Sequence, residues 1–218
     1  MAIQNIIFDF DGTLIDSSDG VVEAVNYSLR QVGEPEQPPE IIKQFIGYPL
    51  SQMYPTFSNT PVPQLYRLFQ QKAAETVASS ARALPGVETV LEQLRDEGYR
   101  LAIASTKIRM HIDKIVDKLG WTELITAYAG GDEVEKVKPD PEILKLTLSR
   151  LDGVAVETLV VGDTINDVLA ARALSMRVAA VESPYGGRQK LLETNPDFFM
   201  GSISELSALL KEINRRAS

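Results

Sequence analysis

The chain has 218 residues, 44% hydrophobic and 24% charged, which is enough to bury a core and ordinary for a globular protein. A formal net charge of −8 excludes general binding to nucleic acid or to anionic membranes, since both need basic surface against phosphate; an anionic substrate then requires a local positive site or a metal. The absence of cysteine excludes disulfides and thiolate zinc sites. The start MAIQNIIFDFDG has no basic segment, and no stretch approaches the ~20 apolar residues of a membrane span, so the cytoplasm is the expected location.

Ile3 to Phe10 is short, apolar and rich in Ile and Phe, which predicts a buried strand. Val21, Val25, Leu29 and Val32 then recur at helical spacing and stop at Gly33. The segments EPEQPPEIIKQFIG and YPLSQMYPTFSNTPVP are broken by prolines and predict short helices joined by turns. In QLYRLFQQKAAETVASSA a longer helix places Leu65, Leu68, Phe69, Thr76 and Val77 on one face. With no strand expected between Asp16 and about Ser80, residues 16–80 read as a helical block inserted after the first strand. Residues 1–15 and 81–218 then form one core.

Beyond Pro85-Gly86 the rhythm changes to strands alternating with helices. Val87, Val90, Leu91 and Leu94 make an amphipathic helix ending at Gly98, followed by the strand YRLAIAS. Ile112, Ile115, Val116 and Leu119 give the next helix, and LITAYAG a strand. A helix opens at Pro141, TLVVGD is a strand, Val168 to Leu174 a helix, RVAAVE a strand, and Ser202 with Glu205 forms a capping box for the last helix. This alternation predicts an α/β fold, a Rossmann-like, doubly wound parallel sheet carrying an inserted helical cap.

Ligands in such sheets gather beyond the carboxyl ends of the strands, and four polar clusters fall at those ends. Asp9 and Asp11 are two residues apart, so on a continuing strand they share a face while Phe8 and Phe10 pack on the other. Gly12 permits a sharp exit and lets backbone N–H groups approach an oxyanion. Paired carboxylates repel unless a cation lies between them or one keeps its proton, which suits a nucleophile, a metal ligand or an acid; two turn aspartates with capping duties are the plainer alternative. Asp163 ends a second strand with Asp167 about one helical turn further, an oxygen-rich set suited to Mg²⁺, or else a helix cap and a first-turn charge. Ser105-Thr106 can offer hydroxyl and N–H to phosphate, and Lys138, stiffened by Pro139 before a helix, can neutralise an aspartate and a phosphate together.

The set DFDGTLIDS, AIAST, KPDPE and GDTIND, in that order and at those strand ends, resembles the haloacid dehalogenase superfamily. More closely it resembles its phosphatases of the phosphoglycolate type, with a small helical cap after the first motif. The resemblance spans nearly the whole chain. It implies Asp9 as a nucleophile forming an aspartyl-phosphate, and Asp11 as the group that protonates the leaving group and then activates water. Ser105 with Thr106, Gly12 and Lys138 would bind the phosphoryl group. Mg²⁺ would be held by Asp9, the Asp11 carbonyl and Asp163, with Asp167 in support. The substrate would be a small phosphorylated metabolite, phosphoglycolate-like or a sugar phosphate.

Dehalogenases of the superfamily lack the second aspartate, so Asp11 argues against carbon–halogen chemistry. A β-phosphoglucomutase-type mutase is the nearest rival, but its histidine next to the first motif is absent here, where His111 is the sole histidine. A pyrophosphatase or nucleotidase of the same superfamily is a further alternative. Phosphatases of the phosphoglycolate type often carry Thr-Asn-Lys where this chain has Ser105-Thr106-Lys107. Lys43 and Tyr48 are the specificity candidates in the cap. His111 reads as a surface residue, and Trp121 as packing over a helix end.

Overall fold

The computed structural model describes residues 1–185 and 187–217; Gly186, within the SPYGGR turn expected after the RVAAVE strand, and Ser218 lie outside the described residues. The first strand, β1 (Asn5–Phe8), is buried along its length and leads to a two-residue strand, β2 (Ile15–Asp16). A run of helices follows: α1 (Ser18–Gln31), α2 (Pro39–Lys43), α3 (Leu50–Met53) and α4 (Val62–Ser80). The chain returns through β3 (Arg82–Ala83), antiparallel to β2, so entry to and exit from the helical stretch are stitched into one ribbon. Its pairing is only two residues long, too short for sequence periodicity to register.

The remainder alternates as expected, in α5 (Val87–Asp96), β4 (Arg100–Ala104), α6 (Arg109–Lys118), β5 (Ala127–Ala129), α7 (Glu142–Arg150), β6 (Thr158–Gly162), α8 (Ile165–Ala173), β7 (Arg177–Val181), α9 (Arg188–Glu193), β8 (Phe198–Met200) and α10 (Leu206–Ala217). Six strands form a parallel sheet in the order β5-β4-β1-β6-β7-β8. β1 lies at its centre, next to the point where the chain reverses its direction of winding, the place where doubly wound sheets bind ligands. Side chains alternate across β1: Ile6 and Phe8 pack with α5, α6 and α10, whereas Ile7 packs with α7 and α8 on the opposite face. Both faces are covered, hence the unbroken apolar runs in β1, β4, β6 and β7.

The helical stretch has a core of its own, in which Val25, Leu29, Ile42, Met53, Tyr54 and Leu65 are buried together. α1 and α4 approach closely at Gly20, where a Cβ would come within 2.5 Å of the Thr76 carbonyl oxygen. Thr76 Oγ1 uses the same gap to donate to the Gly20 carbonyl at 3.0 Å.

Several boundaries differ from the periodic reading for physical reasons. β1 ends at Phe8, two residues early: Asp9 N still donates to the Val161 carbonyl, but Phe10 O then turns to accept from Leu14 N and Ile15 N. Phe10 nonetheless packs with Phe8, as expected. α8 begins three residues before Val168 because Asp167 caps its first turn from within. α9 and β8 were not expected, being six and three residues long. Ser202 and Glu205 form the expected capping box, around a single 3₁₀ turn that runs into α10. Trp121 is buried just beyond α6. Among the described residues no helix is long and apolar enough to cross a membrane.

Candidate active site

The four polar clusters converge at the carboxyl end of β1. Lys138, at the approach to α7, is 3% exposed and donates to three acceptors: Asp9 Oδ1 at 2.5 Å, the Ala104 carbonyl at 2.9 Å and Asp167 Oδ1 at 2.5 Å. An ammonium has three protons, so this one is saturated by the protein alone. The stiff loop that presents it is anchored by Asp140 Oδ1, which accepts from Glu142 N at 3.1 Å. Asp167 fills the helix-start role weighed for it and also pairs with Lys138. Its Oδ2 accepts from Thr164 N (3.0 Å) and Thr164 Oγ1 (2.7 Å), capping α8, while Oδ1 meets Lys138.

Asp163, at the end of β6, accepts from Thr13 Oγ1 at 2.8 Å. Gly12 passes beside it with φ +87°, and a Cβ at that position would lie 2.3 Å from Asp163 Oδ2, so both the backbone conformation and the space demand glycine. Asp9, Asp163 and Asp167 are all buried and each offers one carboxylate oxygen within 4.8 Å of the others. Three hard oxygens with no sulfur or imidazole among them fit a magnesium-type cation. The charges are consistent with such a cation. Burial pushes the Asp9 carboxyl up to about 7 against the pull of Lys138, with Asp167 and Asp11 adding to the rise. Burial, then Asp9 and Asp167, raises Asp163 well above the usual carboxylate range. Burial also works against the Lys138 charge, but Asp167 and Asp9 outweigh it and hold its pKa above the ordinary lysine value. One ammonium among three buried carboxylates leaves negative charge that a divalent cation would balance.

Asp11 turns the other way. Its Oδ1 accepts from Ser17 Oγ at 2.5 Å and its Oδ2 lies 3.2 Å from Lys107 Nζ, which also donates to Ser17 Oγ at 3.3 Å. Neither Ser17 nor Lys107 was singled out as a partner of Asp11 from the sequence. The signal was present, since Lys107 closes the Ser105-Thr106-Lys107 cluster, but the pairing joins positions 96 apart, 11 and 107. Ser105 is buried, and its Oγ accepts from Lys107 N at 3.1 Å, shaping the turn that presents Thr106. Tyr185 lies in the SPYGGR segment, which the sequence offers as a plain turn or a site-lining loop: its hydroxyl donates to Asp16 Oδ1 at 3.0 Å, and burial, then Asp11 and Asp16, raises its pKa far above the ordinary tyrosine value.

Asp11 borders a cavity of about 300 Å³ between the helical stretch and the loop after β4, whose walls include Thr106, Lys107, Tyr48, Tyr66 and Phe69. Tyr48 also borders a wider groove of about 950 Å³ that reaches Asp163, Tyr185, Arg188 and Lys190. Tyr48 is therefore placed against both openings. Lys43 lines neither; its ammonium lies 3.6 Å from Asp19. His111 contradicts the surface reading. The first turn of α6 faces inward, leaving the imidazole 4% exposed on the cavity wall, where burial, with Lys107 and Lys114 nearby, pushes its pKa down to about 4.

The family model described as haloacid dehalogenase-like hydrolase matches residues 6–181. A plasmid-borne phosphoglycolate phosphatase of Cupriavidus necator is 32% identical, covering 94% of this chain and 92% of its own. Pyrophosphatase PpaX of Bacillus cereus is 27% identical over 99% of this chain and all of its own. Among solved structures, a chain from Bacteroides fragilis described as a haloacid dehalogenase-like hydrolase superposes with a TM-score of 0.88 at 26% identity, covering 94% of this chain and 99% of its own.

Proposed function

This chain belongs to the haloacid dehalogenase-like hydrolases, and from that premise we propose that it is a Mg²⁺-dependent phosphatase of small phosphomonoesters working through an aspartyl-phosphate on Asp9. The observation that carries the reading is the division between two aspartates two residues apart. Asp9 is clamped by Lys138 among the buried carboxylates, while Asp11 faces the adjoining cavity with Lys107 and Ser17. The names of the relatives, a phosphoglycolate phosphatase and a pyrophosphatase, support phosphoryl chemistry and leave the leaving group open.

In the first step an Asp9 oxygen attacks phosphorus, and the bond from phosphorus to the leaving oxygen breaks as that oxygen takes the proton of the Asp11 carboxyl. In the second, the Asp11 carboxylate accepts a proton from water, whose oxygen attacks phosphorus. The bond to Asp9 then breaks, releasing inorganic phosphate and restoring both carboxyl groups. Lys138 fixes the Asp9 rotamer; because its three donors are already engaged, touching the phosphoryl group requires it to exchange one of them. Ser105, Thr106 and the backbone around Gly12 are the donors assigned to the phosphoryl oxygens. Asp9, Asp163 and the Asp11 carbonyl would hold Mg²⁺, supported by Asp167; bound there, it supplies charge neutralisation at the phosphoryl oxygens. Residues 16–80 act in this reading as a cap, with the β2–β3 ribbon as its hinge, whose closure excludes bulk water and leaves the attacking water to Asp11.

The test is inorganic phosphate release from a panel of phosphomonoesters and pyrophosphate, in Mg²⁺ and in chelator, for the wild type and Asp9→Asn. Release that needs Mg²⁺ and disappears in the variant is the expected result. Phosphorylation of Asp9 by a phosphodonor with no net phosphate release would replace the phosphatase with a mutase.

A further inference from the structure

We propose that the cavity beside Asp11 receives an uncharged, largely apolar leaving group, so that the substrate is the phosphomonoester of a neutral alcohol with an aromatic or alkyl body rather than of a hydroxy acid or a second phosphate. The proposal rests on the phosphatase reading for its location and on the chemistry of the cavity wall for its content. Asp11, which hands its proton to the leaving oxygen in that reading, stands at the edge of the cavity, so the rest of the leaving group extends into it.

The wall is built mostly from carbon. Phe45, Leu50, Tyr66 and Phe69 come from α3, α4 and the segment before them, and Ile108 and Val137 from the loops of the sheet. Among the described residues that line it, the formally charged side chains are Asp11, Asp132 and Lys107, so the wall is net negative. The one ammonium is already held, 3.2 Å from Asp11 Oδ2 and donating to Ser17 Oγ. His111 contributes no positive charge, since its imidazole stays neutral at ordinary pH. Lys43, the cation weighed for specificity in the helical stretch, is paired with Asp19 and does not line the cavity. A carboxylate or phosphate entering here would lose its water without gaining a free cation, the circumstance in which burying a charge is most unfavourable. The phosphoryl end does not share this problem, because its charge is met at the Asp9, Lys138 and cation site. Tyr66, Gln70 and Tyr48 leave polar groups along the wall, enough to orient a hydroxyl or ring oxygen. A volume of about 300 Å³ lies at the small end of ligand cavities.

The groove on the other side of Tyr48 supplies the competing outcome. It carries Arg188 and Lys190, although Arg188 is paired with Glu182 and lies over the Phe199 ring. An anionic leaving group directed there would not meet the apolar wall.

Benzyl phosphate and 2-phosphoglycolate form a matched pair, both esters of primary alcohols, differing in a phenyl ring against a carboxylate. Expected with Mg²⁺ is a kcat/KM at least about tenfold higher for benzyl phosphate. The Gln70→Lys variant, which places a free ammonium on the wall, is expected to narrow or reverse that ratio. Calorimetric binding of benzylphosphonate and phosphonoacetate gives the same comparison without turnover. Equal or reversed preference for 2-phosphoglycolate or pyrophosphate, with Asp9-dependent phosphate release intact, overturns the inference while the phosphatase reading stands. Release from none of the substrates fails the phosphatase reading; the phosphonates then decide the cavity, tighter benzylphosphonate supporting its apolar character and equal or weaker binding overturning it.

Discussion

Replacing Lys138 by Met removes the ammonium that serves two buried carboxylates and a carbonyl while keeping much of the side chain's length and volume. Lys138 is 3% exposed and its partners Asp9 and Asp167 are 5% and 1% exposed, so water does not compensate for the loss. Breaking a buried ion pair from one side costs about 3–5 kcal/mol, because the partner charge remains buried and unpaired. For a chain of this size that is a fall in Tm of roughly 6–20 °C. Urea unfolding in chelator measures it without any contribution from a bound cation. The second arm is Asp167→Asn on both backgrounds. If Lys138 compensates Asp167, removing that carboxylate from the Lys138→Met protein relieves repulsion with Asp9, and the double variant is less destabilised than the sum of the singles by about 1 kcal/mol or more. A Lys138→Met protein within about 1 kcal/mol of wild type, or strict additivity, would refute the reasoning, because the clamp would then be geometry without energetic consequence.

Two further substitutions probe neighbouring links. Gly12→Ala forces a side chain into φ +87° and against Asp163 Oδ2, so a loss of about 1–2 kcal/mol in stability is expected, with kcat falling about a hundredfold as Asp163 is displaced. Wild-type turnover in that variant would show that Asp163 does not need its present position. His111 is pushed down to about 4, so in acid it protonates in the unfolded chain before it does so in the folded one. Stability is therefore lost as the pH falls from 6.5 towards 4; the full shift amounts to ~3 kcal/mol, and partial solvent screening reduces it to about half. His111→Phe is expected to flatten that part of a denaturation-against-pH curve, and an unchanged acid limb would show that the imidazole is not held neutral.

Most of the sheet was legible because a parallel strand covered on both faces must be apolar at every position, and TLVVG in β6 or LAIA in β4 has few other uses. The elements that escaped are those whose stability comes from neighbours. β2 and β3 are two residues each and exist because the chain crosses itself there; β8 is an edge strand of three residues, and α9 has one turn and a half with a single buried leucine. None carries a periodicity long enough to read. The early end of β1 has the same origin, since Phe10 O accepts from Leu14 N and Ile15 N and so starts the turn that aims the second aspartate away from the first.

The site divides along a similar line. Asp9, Lys138, Asp163 and Asp167 sit at strand ends or at a helix start, where the backbone alone determines which way a side chain leaves; the structure brings the three carboxylates within 4.8 Å of one another, with Lys138 donating to Asp9 and Asp167. The partners of Asp11 are different in kind. Lys107, in the loop after β4, and Ser17, just before α1, reach it across the carboxyl ends of the neighbouring strands β1 and β4, and α6 presents its first turn inward, which sets His111 in the cavity wall instead of on the surface. No short-range spacing in the sequence encodes that arrangement, since it joins residues that only the pairing of β1 with β4 brings together. The chemistry common to the family is thus carried by local backbone geometry and can be read from short motifs. In the reading proposed above, the choice of leaving group would depend on residues such as Tyr66, Gln70 and Phe69, which line the cavity from an otherwise ordinary amphipathic helix. A single substitution on that face, such as Gln70→Lys, changes the charge of the wall without touching any motif residue, so a measured shift in preference with that variant would separate the specificity of the cavity from the chemistry of the motifs.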